Sequence, residues 1–222
     1  MYWIVVGDVH ENYGRMGRLP GVAGAEGLIL SGDLTNRGGA GKAAGVLEAA
    51  LAANPKVFAQ VGNMDLPELT EHLAARGLNI HREARLLAPG LALMGVGYSN
   101  RTPFGTPSEA DEDELTAWLG EAHAKARLLA GAEGRILAVI HTPPRDTPVD
   151  RLPNGAGVGS PAVREFLLRE QPDVCVCGHI HEAAGETHLG SCHVLNPGML
   201  AEGGFVRVEL KNGRLSACLD RF

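Results

Sequence analysis

Five short apolar runs in this chain each end on a side chain able to hold a metal, and that punctuation constrains the fold more than any other feature of the 222 residues. Trp3–Val6 runs into Gly7-Asp8-Val9-His10, Leu28–Leu30 into Ser31-Gly32-Asp33, and Val57–Val61 into Gly62-Asn63. Ile136–Ile140 stops at His141, and Val174–Cys177 meets Gly178-His179-Ile180-His181. Runs bounded in this way read as buried strands. In a mostly parallel sheet with helical crossovers, the carboxyl ends of such strands lie along one edge, where ligands bind. Asp8, His10, Asp33, Asn63, His141, His179 and His181 would therefore converge. His179 and His181 stand at i and i+2, a spacing that in extended backbone puts both imidazoles on one side. Neutral imidazoles held like this suit borderline divalent metals, and Gly178 lets the backbone turn there with no Cβ in the way.

Composition narrows what such a chain can be. With 45% hydrophobic residues over its length, the chain can bury a substantial core as one domain, residues 1–222. Cys175, Cys177, Cys192 and Cys218 fall mostly in apolar runs and form no C-x-x-C pair, so they read as reduced core residues of a reducing compartment. The N-terminus enters a strand at once, with no basic leader and no apolar stretch long enough for a membrane span, which places the protein in the cytoplasm. The net charge of −6 carries no basic stripe, which argues against long nucleic acid. Small phosphorylated molecules stay open, because a bound metal supplies positive field locally.

Between the strand ends the elements read as follows. Asn12–Leu19 is a short helix broken by Pro20, and Thr35–Gly41 is a glycine-rich loop before an alanine-rich helix through Ala53. That loop is no phosphate loop: Asn36 stands where its first glycine is required and Ala43 where a hydroxyl would bind magnesium. Lys56–Val61 is a strand, Pro67–Arg76 a helix with proline near its start, and two short strands lie within Ala84–Met94. A long helix is placed from Ser108, with Ser108 and Asp111 as its capping box and an acidic run at its solvated start. Leu115, Trp118, Leu119, Ala122, Ala126 and Leu129 make its apolar face. Thr142–Gly159 is a loop long enough to lie over a ligand, and Ser160-Pro161 caps a helix that turns Val163, Phe166 and Leu167 inward. Cys192–Leu195, Phe205–Leu210 and Leu215–Leu219 follow as strands, the last two joined through Asn212-Gly213.

Seven metal-capable side chains are too many for one ion and suit two. A carboxylate has two oxygens, so one aspartate can serve two ions roughly 3.5–4 Å apart. Such a pair activates water, holds ester oxygens for in-line attack and absorbs charge in the transition state.

Taken in order, Asp8-x-His10, Gly32-Asp33, Gly62-Asn63, His141 and Gly178-His179-x-His181 resemble the motif blocks of the calcineurin-like metallophosphoesterases. The resemblance extends over nearly the whole chain and is nearest to a branch of small, single-domain bacterial and archaeal members. It implies an α/β fold, a four-layer α-β-β-α sandwich in which two mixed β-sheets are flanked by helices. It also implies that Asp8, His10 and His181 bind one divalent ion and Asn63, His141 and His179 another, with Asp33 between them; Asp33, Asn63 and His179 are then the residues expected at the chemistry. Such sites accept Mn, Fe, Zn, Ni or Co, with manganese favoured. The implied activity is hydrolysis of a small phosphodiester, a cyclic nucleotide among the candidates, by a metal-bridging hydroxide. A phosphomonoesterase or protein phosphatase, or a non-catalytic scaffold of the same fold, is the alternative.

One block departs from the pattern. Many phosphatases of the family carry a histidine after the asparagine that helps protonate the leaving group, and here the residue is Met64, whose thioether cannot. Small phosphodiesterases of the family often lack this histidine too, so the departure leans toward diesters or toward esters with good leaving groups. Asn12, Arg37, Met64 and Arg145 are the expected substrate contacts, with Arg151 and Asn196 as weaker candidates. His72, His81, His123, His188 and His193 fall outside the blocks and read as ordinary surface or core histidines.

Overall fold

Trp3 and Val5 point to one side of the first strand and Ile4 and Val6 to the other, and all four are buried, so that strand must be covered on both faces. A computed structural model, which describes residues 1–222, shows what covers it. The strands are β1 (Tyr2–Val6), β2 (Leu28–Leu30), β3 (Val57–Ala59), β4 (Glu83–Ala88), β5 (Leu91–Val96), β6 (Ser99–Asn100) and β7 (Glu109–Ala110). They continue with β8 (Arg135–Ile140), β9 (Val174–Val176), β10 (Gly185–Leu189), β11 (Cys192–Asn196), β12 (Gly204–Lys211) and β13 (Arg214–Arg221). The longer helices are α1 (Ala40–Ala53), α2 (Glu68–Ala75), α3 (Glu112–Ala130) and α4 (Pro161–Glu170).

One sheet has the order β13-β12-β1-β2-β3 and the other β10-β11-β9-β8-β5-β4, while β6 and β7 pair apart from both. The inward residues of both large sheets, among them Trp3, Val5, Ile29, Leu93, Leu137, Val139 and Val176, make the core between them. On the far side of the first sheet Ile4, Val6, Leu28 and Leu30 pack with Val46 and Leu47 of α1 and Leu69 and Leu73 of α2. On the far side of the second, Ile136, Ala138 and Ile140 pack with Leu115 and Leu119 of α3 and Phe166 of α4. Strict period-two alternation thus feeds two different layers, and the result is the four-layer α-β-β-α sandwich. Because β1, β2 and β3 are mutually parallel, as are β5, β8 and β9, the carboxyl ends within each set point the same way.

Several expectations shift. β3 ends at Ala59, two residues early, because Gln60 turns inward and its Nε2 reaches the carbonyls of Ser31, Val96 and Val139 at 3.2–3.3 Å, tying the two sheets together. The long helix begins at Glu112, and its capping box is Asp111 with Glu114. Ser108 is committed elsewhere: its hydroxyl donates to Asp65 O at 2.6 Å and its N–H to Asn63 O at 3.0 Å. Leu129, 43% exposed, lies off the apolar face. The polar edge strand β10 has too little apolar alternation to be read as a strand. Asn12–Leu19 becomes a 3-10 helix over Tyr13–Arg18. Cys175, Cys177 and Cys192 are buried as expected, whereas Cys218 is exposed on β13. Asn212 and Gly213 take φ of 52° and 74°, the left-handed pair that a two-residue hairpin requires. No helix is long and apolar enough to cross a membrane.

His81 is a buried structural histidine. Its Nδ1 accepts the Gly97 N–H at 3.0 Å, and its ring stacks on Tyr98. Burial, aided by the charge of Arg82, pushes its pKa from 6.5 down to about 4. The unfolded chain therefore takes the proton first as the pH drops. The stability this group holds is complete above about pH 6.5 and lost as the pH falls through about 4, a loss of about 3 kcal/mol. His81→Gln keeps an acceptor for the Gly97 N–H and is expected to flatten that acid limb in urea melts between about pH 7 and 4. Parallel profiles for the two proteins would assign the limb to other groups.

Candidate metal centre

Past the strand ends the parallel ladders carry on into the loops. Asp8 N donates to Gly32 O at 3.2 Å, His10 N to Asp33 O at 2.8 Å, His141 N to Val96 O at 2.9 Å, and Gly178 N to His141 O at 2.9 Å. These bonds draw the loops toward one point, where all seven side chains meet in two groups that share Asp33. In the first, Asp8 Oδ1 lies 3.3 Å from His181 Nε2, and His10 Nε2 lies 3.1 Å from His181 Nε2 and 3.7 Å from Asp33 Oδ2. In the second, His141 Nε2 lies 3.5 Å from Asp33 Oδ2 and 3.1 Å from Asn63 Oδ1, while His179 Nδ1 is 2.7 Å from Asn63 Oδ1.

Strand parity does not place the two histidines after Gly178. β9 ends at Val176, His179 adopts φ 68°, and His181 opens a 3-10 turn, so the rings serve different groups. Asp8, His10 and Asp33 are also left-handed, with φ of 49°, 45° and 48°. Non-glycine residues held there cost of order 1–3 kcal/mol each and persist only where their surroundings enforce them. Gly178 is required by close approach rather than by its own turn, since a Cβ there would stand 2.5 Å from Asp8 Oδ2. At Gly32 both reasons hold: φ is +126°, and a Cβ would stand 2.5 Å from His141 Nδ1.

The donor set fits divalent cations. Asp8 Oδ2 and His10 Nδ1 are buried with no hydrogen-bond partner, a state that folded proteins rarely leave in place. Asp33 Oδ1 accepts the Met64 N–H at 2.7 Å, which leaves Oδ2 facing histidines of both groups. Burial alone would raise the Asp33 carboxyl, but His141 and His10 hold it at about 2. Burial alone would lower His141, but the Asp33 charge lifts it to about 9. Burial and the nearby His141 push His179 down to about 4; burial would also lower His181, but its bond to Asp8 raises it. Two buried carboxylates thus pull positive charge inward among nitrogen and oxygen donors, the ligand chemistry of borderline divalent ions. Asp8, His10, Asp33 and His181 lie close enough to share one ion, and Asp33, His141 and His179, with Asn63 beside them, another.

A family model described as calcineurin-like phosphoesterase matches residues 1–183, a span that contains all five loops. The chain belongs to the calcineurin-like phosphoesterases. It is 32% identical over 179 residues to an uncharacterised protein of Methanocaldococcus jannaschii, covering 78% of this chain and 77% of that one. A crystal structure of a Thermus thermophilus protein aligns with a TM-score of 0.68 at 19% identity, over 98% of this chain and 97% of that one. A dimetal phosphatase from Danio rerio aligns with a TM-score of 0.58 at 12% identity, over 99% and 95%. At those identities the two structures speak for the fold alone.

In this phosphoesterase a cleft of about 900 Å³ opens over both groups. Arg37, Met64 and Arg145 line it, and so do Leu152, Gly157 and Val158 of the long loop after His141. Asn12 does not reach it: its amide donates to His10 O at 3.1 Å from an exposed position. Arg151 is held by Asp146 and Asp150. Asn196 makes the expected turn, accepting the Gly198 N–H at 2.9 Å, and also holds the loop of His179 and His181 by donating to Ile180 O at 2.8 Å.

Three residues at the site are not apparent from the sequence. Asp65 accepts from the backbone N–H groups of Gly62, Leu34 and Thr35 and from the Thr35 hydroxyl, at 2.8–3.0 Å, and so clamps the Asp33 loop to the Asn63 loop. Its place two residues after Asn63 is the only signal. Thr106 Oγ1 accepts from Asn63 Nδ2 at 3.1 Å and donates to Glu109 Oε1 at 2.6 Å. Burial would raise Glu109, but bonds from Thr102 and Thr106 keep it below the usual carboxylate range. With its proton committed to Glu109, the Thr106 hydroxyl can only accept from Asn63, which turns Asn63 Oδ1 toward His141 and His179. Thr106→Val removes that acceptor with little change in shape. It is expected to weaken metal binding about 10–100-fold in competition with a chelating dye, and Thr106→Ser to restore it. Unchanged affinity in the valine variant would show that the amide is oriented by other means.

Proposed function

We propose that this phosphoesterase hydrolyses a small phosphodiester, a cyclic nucleotide being one such ester, and that it uses two divalent ions, manganese favoured, with Asp33 serving both. The observation that carries the diester reading is position 64, where Met64 lines the cleft beside Asn63 in place of the histidine that many phosphatases of the family carry and small phosphodiesterases of the family often lack; it has no proton to give a basic leaving group. Asp8, His10 and His181 would hold one ion, and Asn63, His141 and His179 the other. Two ions held there would supply Lewis-acid charge and a nucleophilic water near neutral pH. Arg37 and Arg145 line the same cleft and in this reading would grip the remaining phosphate oxygens, Arg37 with the nitrogens not turned to the carbonyls of Phe104 and Gly105. Residues 1–222 act in this reading as one catalytic domain in the reducing cytoplasm, with the three buried thiols in support.

A panel of diesters, monoesters and cyclic nucleotides, each assayed with Mn, Fe, Zn, Ni and Co, tests the reading. Faster turnover of alkyl monoesters than of matched diesters would overturn the diester preference, and no turnover of any ester would favour a scaffold. Met64 gives a second test. The wild type is expected to discriminate steeply between aryl and alkyl leaving groups, and Met64→His to narrow the gap by raising turnover of the poor ones. Asp65 cannot orient that histidine, because both of its oxygens are engaged by neighbouring donors. The gain is therefore expected near the lower end, about 10²-fold, of what general acid help supplies. Parallel leaving-group slopes would mean that position 64 is only packing, or that a water or another side chain already gives the proton.

A further inference from the structure

Phe104 stands 78% exposed on the wall of the cleft that holds His10, Asn63 and His179. A single exposed aromatic on a slack loop would need no explanation. This loop is tied down. Glu109 Oε1 accepts from Thr102 Oγ1 at 2.6 Å, Thr106 Oγ1 at 2.6 Å and Thr106 N at 2.7 Å. Phe104 N donates to Thr102 Oγ1 at 3.2 Å, and Arg37 reaches the carbonyls of Phe104 and Gly105 at 3.5 and 3.4 Å. The backbone beneath the ring is thus held on both sides while the ring itself is left open over the cleft. Pro103, Leu152, Val158 and Met199 add apolar surface to the same walls, and Arg37 and Arg145 add positive charge, whereas Arg101 is paired with Asp111 at 2.6 and 3.1 Å.

We propose that the 101–109 loop forms a subsite for a nucleobase, which stacks on Phe104 while the phosphate of the same molecule lies over the two metal-capable groups; the proposal rests on the phosphoesterase reading above. An acyl chain would need an enclosed apolar wall. A flat ring with a hydrogen-bonding edge suits an open aromatic face among arginines, because one face stacks while the edge stays hydrated or meets a guanidinium.

The experiment compares binding of an adenosine phosphonate, whose bridging ester oxygen is replaced by CH2 so that it cannot be hydrolysed, with binding of methylphosphonate. Both are titrated calorimetrically into the full chain loaded with manganese. Phe104→Ala is expected to weaken the adenosine compound about tenfold relative to methylphosphonate, in the range of one lost base stack, and Phe104→Trp to restore it. Thermal melting of each variant checks that the fold is kept. Equal weakening of both ligands, or of neither, overturns the subsite whatever the enzyme hydrolyses. Preferential loss of the adenosine compound, in a protein that turns over no ester, would support the subsite and refute the hydrolase reading.

Discussion

Asp33→Asn is expected to abolish tight binding of both metal ions and to lower turnover beyond the roughly 10–100-fold loss typical of residues that merely support a ligand. Asp33 is 2% exposed; its Oδ1 is occupied by the Met64 N–H, and its Oδ2 faces His10 at 3.7 Å and His141 at 3.5 Å. It is the one side chain common to both groups. An amide removes the shared negative charge and can set an NH2 where both groups require an acceptor. Elemental analysis should find two ions per wild-type chain after loading, and a wild type that settles near one or none would refute the dinuclear assignment. His123→Ala is the control, since His123 lies on α3 with its ring edge-on to Phe166 and 3.4 Å from Glu170. Equal loss of metal from both variants would overturn the placement of the site.

Asp65→Asn is expected to destabilise the fold by about 1–3 kcal/mol, the cost of leaving one buried backbone donor facing an NH2 group. Each Asp65 oxygen accepts two hydrogen bonds: Leu34 N and Gly62 N on one, Thr35 N and Thr35 Oγ1 on the other. With its NH2 on the Thr35 side an amide leaves Thr35 N facing a donor, while the Thr35 hydroxyl can turn its proton to Gly38 O at 2.9 Å and accept instead; the other orientation strands both Leu34 N and Gly62 N. Burial, followed by the charge of Asp33, pushes the Asp65 carboxyl up to about 7, so the four donors are what favour its ionised form there. Because these bonds join the Asp33 loop to the Asn63 loop, weaker metal binding should accompany the lost stability. Urea melts with and without bound metal check both effects. A change under about 1 kcal/mol would mean that the clamp is redundant.

Much of this is legible in the chain, for a definite reason. A strand buried on both faces must be apolar at every position, so Trp3–Val6, Leu28–Leu30 and Ile136–Ile140 declare themselves without periodicity. A helix capped by its own neighbours, as α4 is by Ser160, is equally local. Helix α3 shows the limit. Its capping box lies at Asp111 and Glu114 rather than at Ser108, because Ser108 is engaged by Asp65 and Asn63, more than forty residues upstream.

The candidate site divides along the same line. Which side chains could bind metal, and that they stand at strand ends, can be read from the residues in order, because residue chemistry and the turn after each strand are local properties. Folding in three dimensions is what sends His179 and His181 to different groups, makes Gly178 leave room for Asp8, and sets Asp65, Thr106 and Glu109 to hold the loops and the Asn63 amide in place. Those outcomes depend on left-handed backbone at Asp8, His10, Asp33 and His179 and on bonds between segments far apart in the chain. No local propensity encodes them: each conformation is unfavourable alone and is held by contacts that exist only once the two sheets have met.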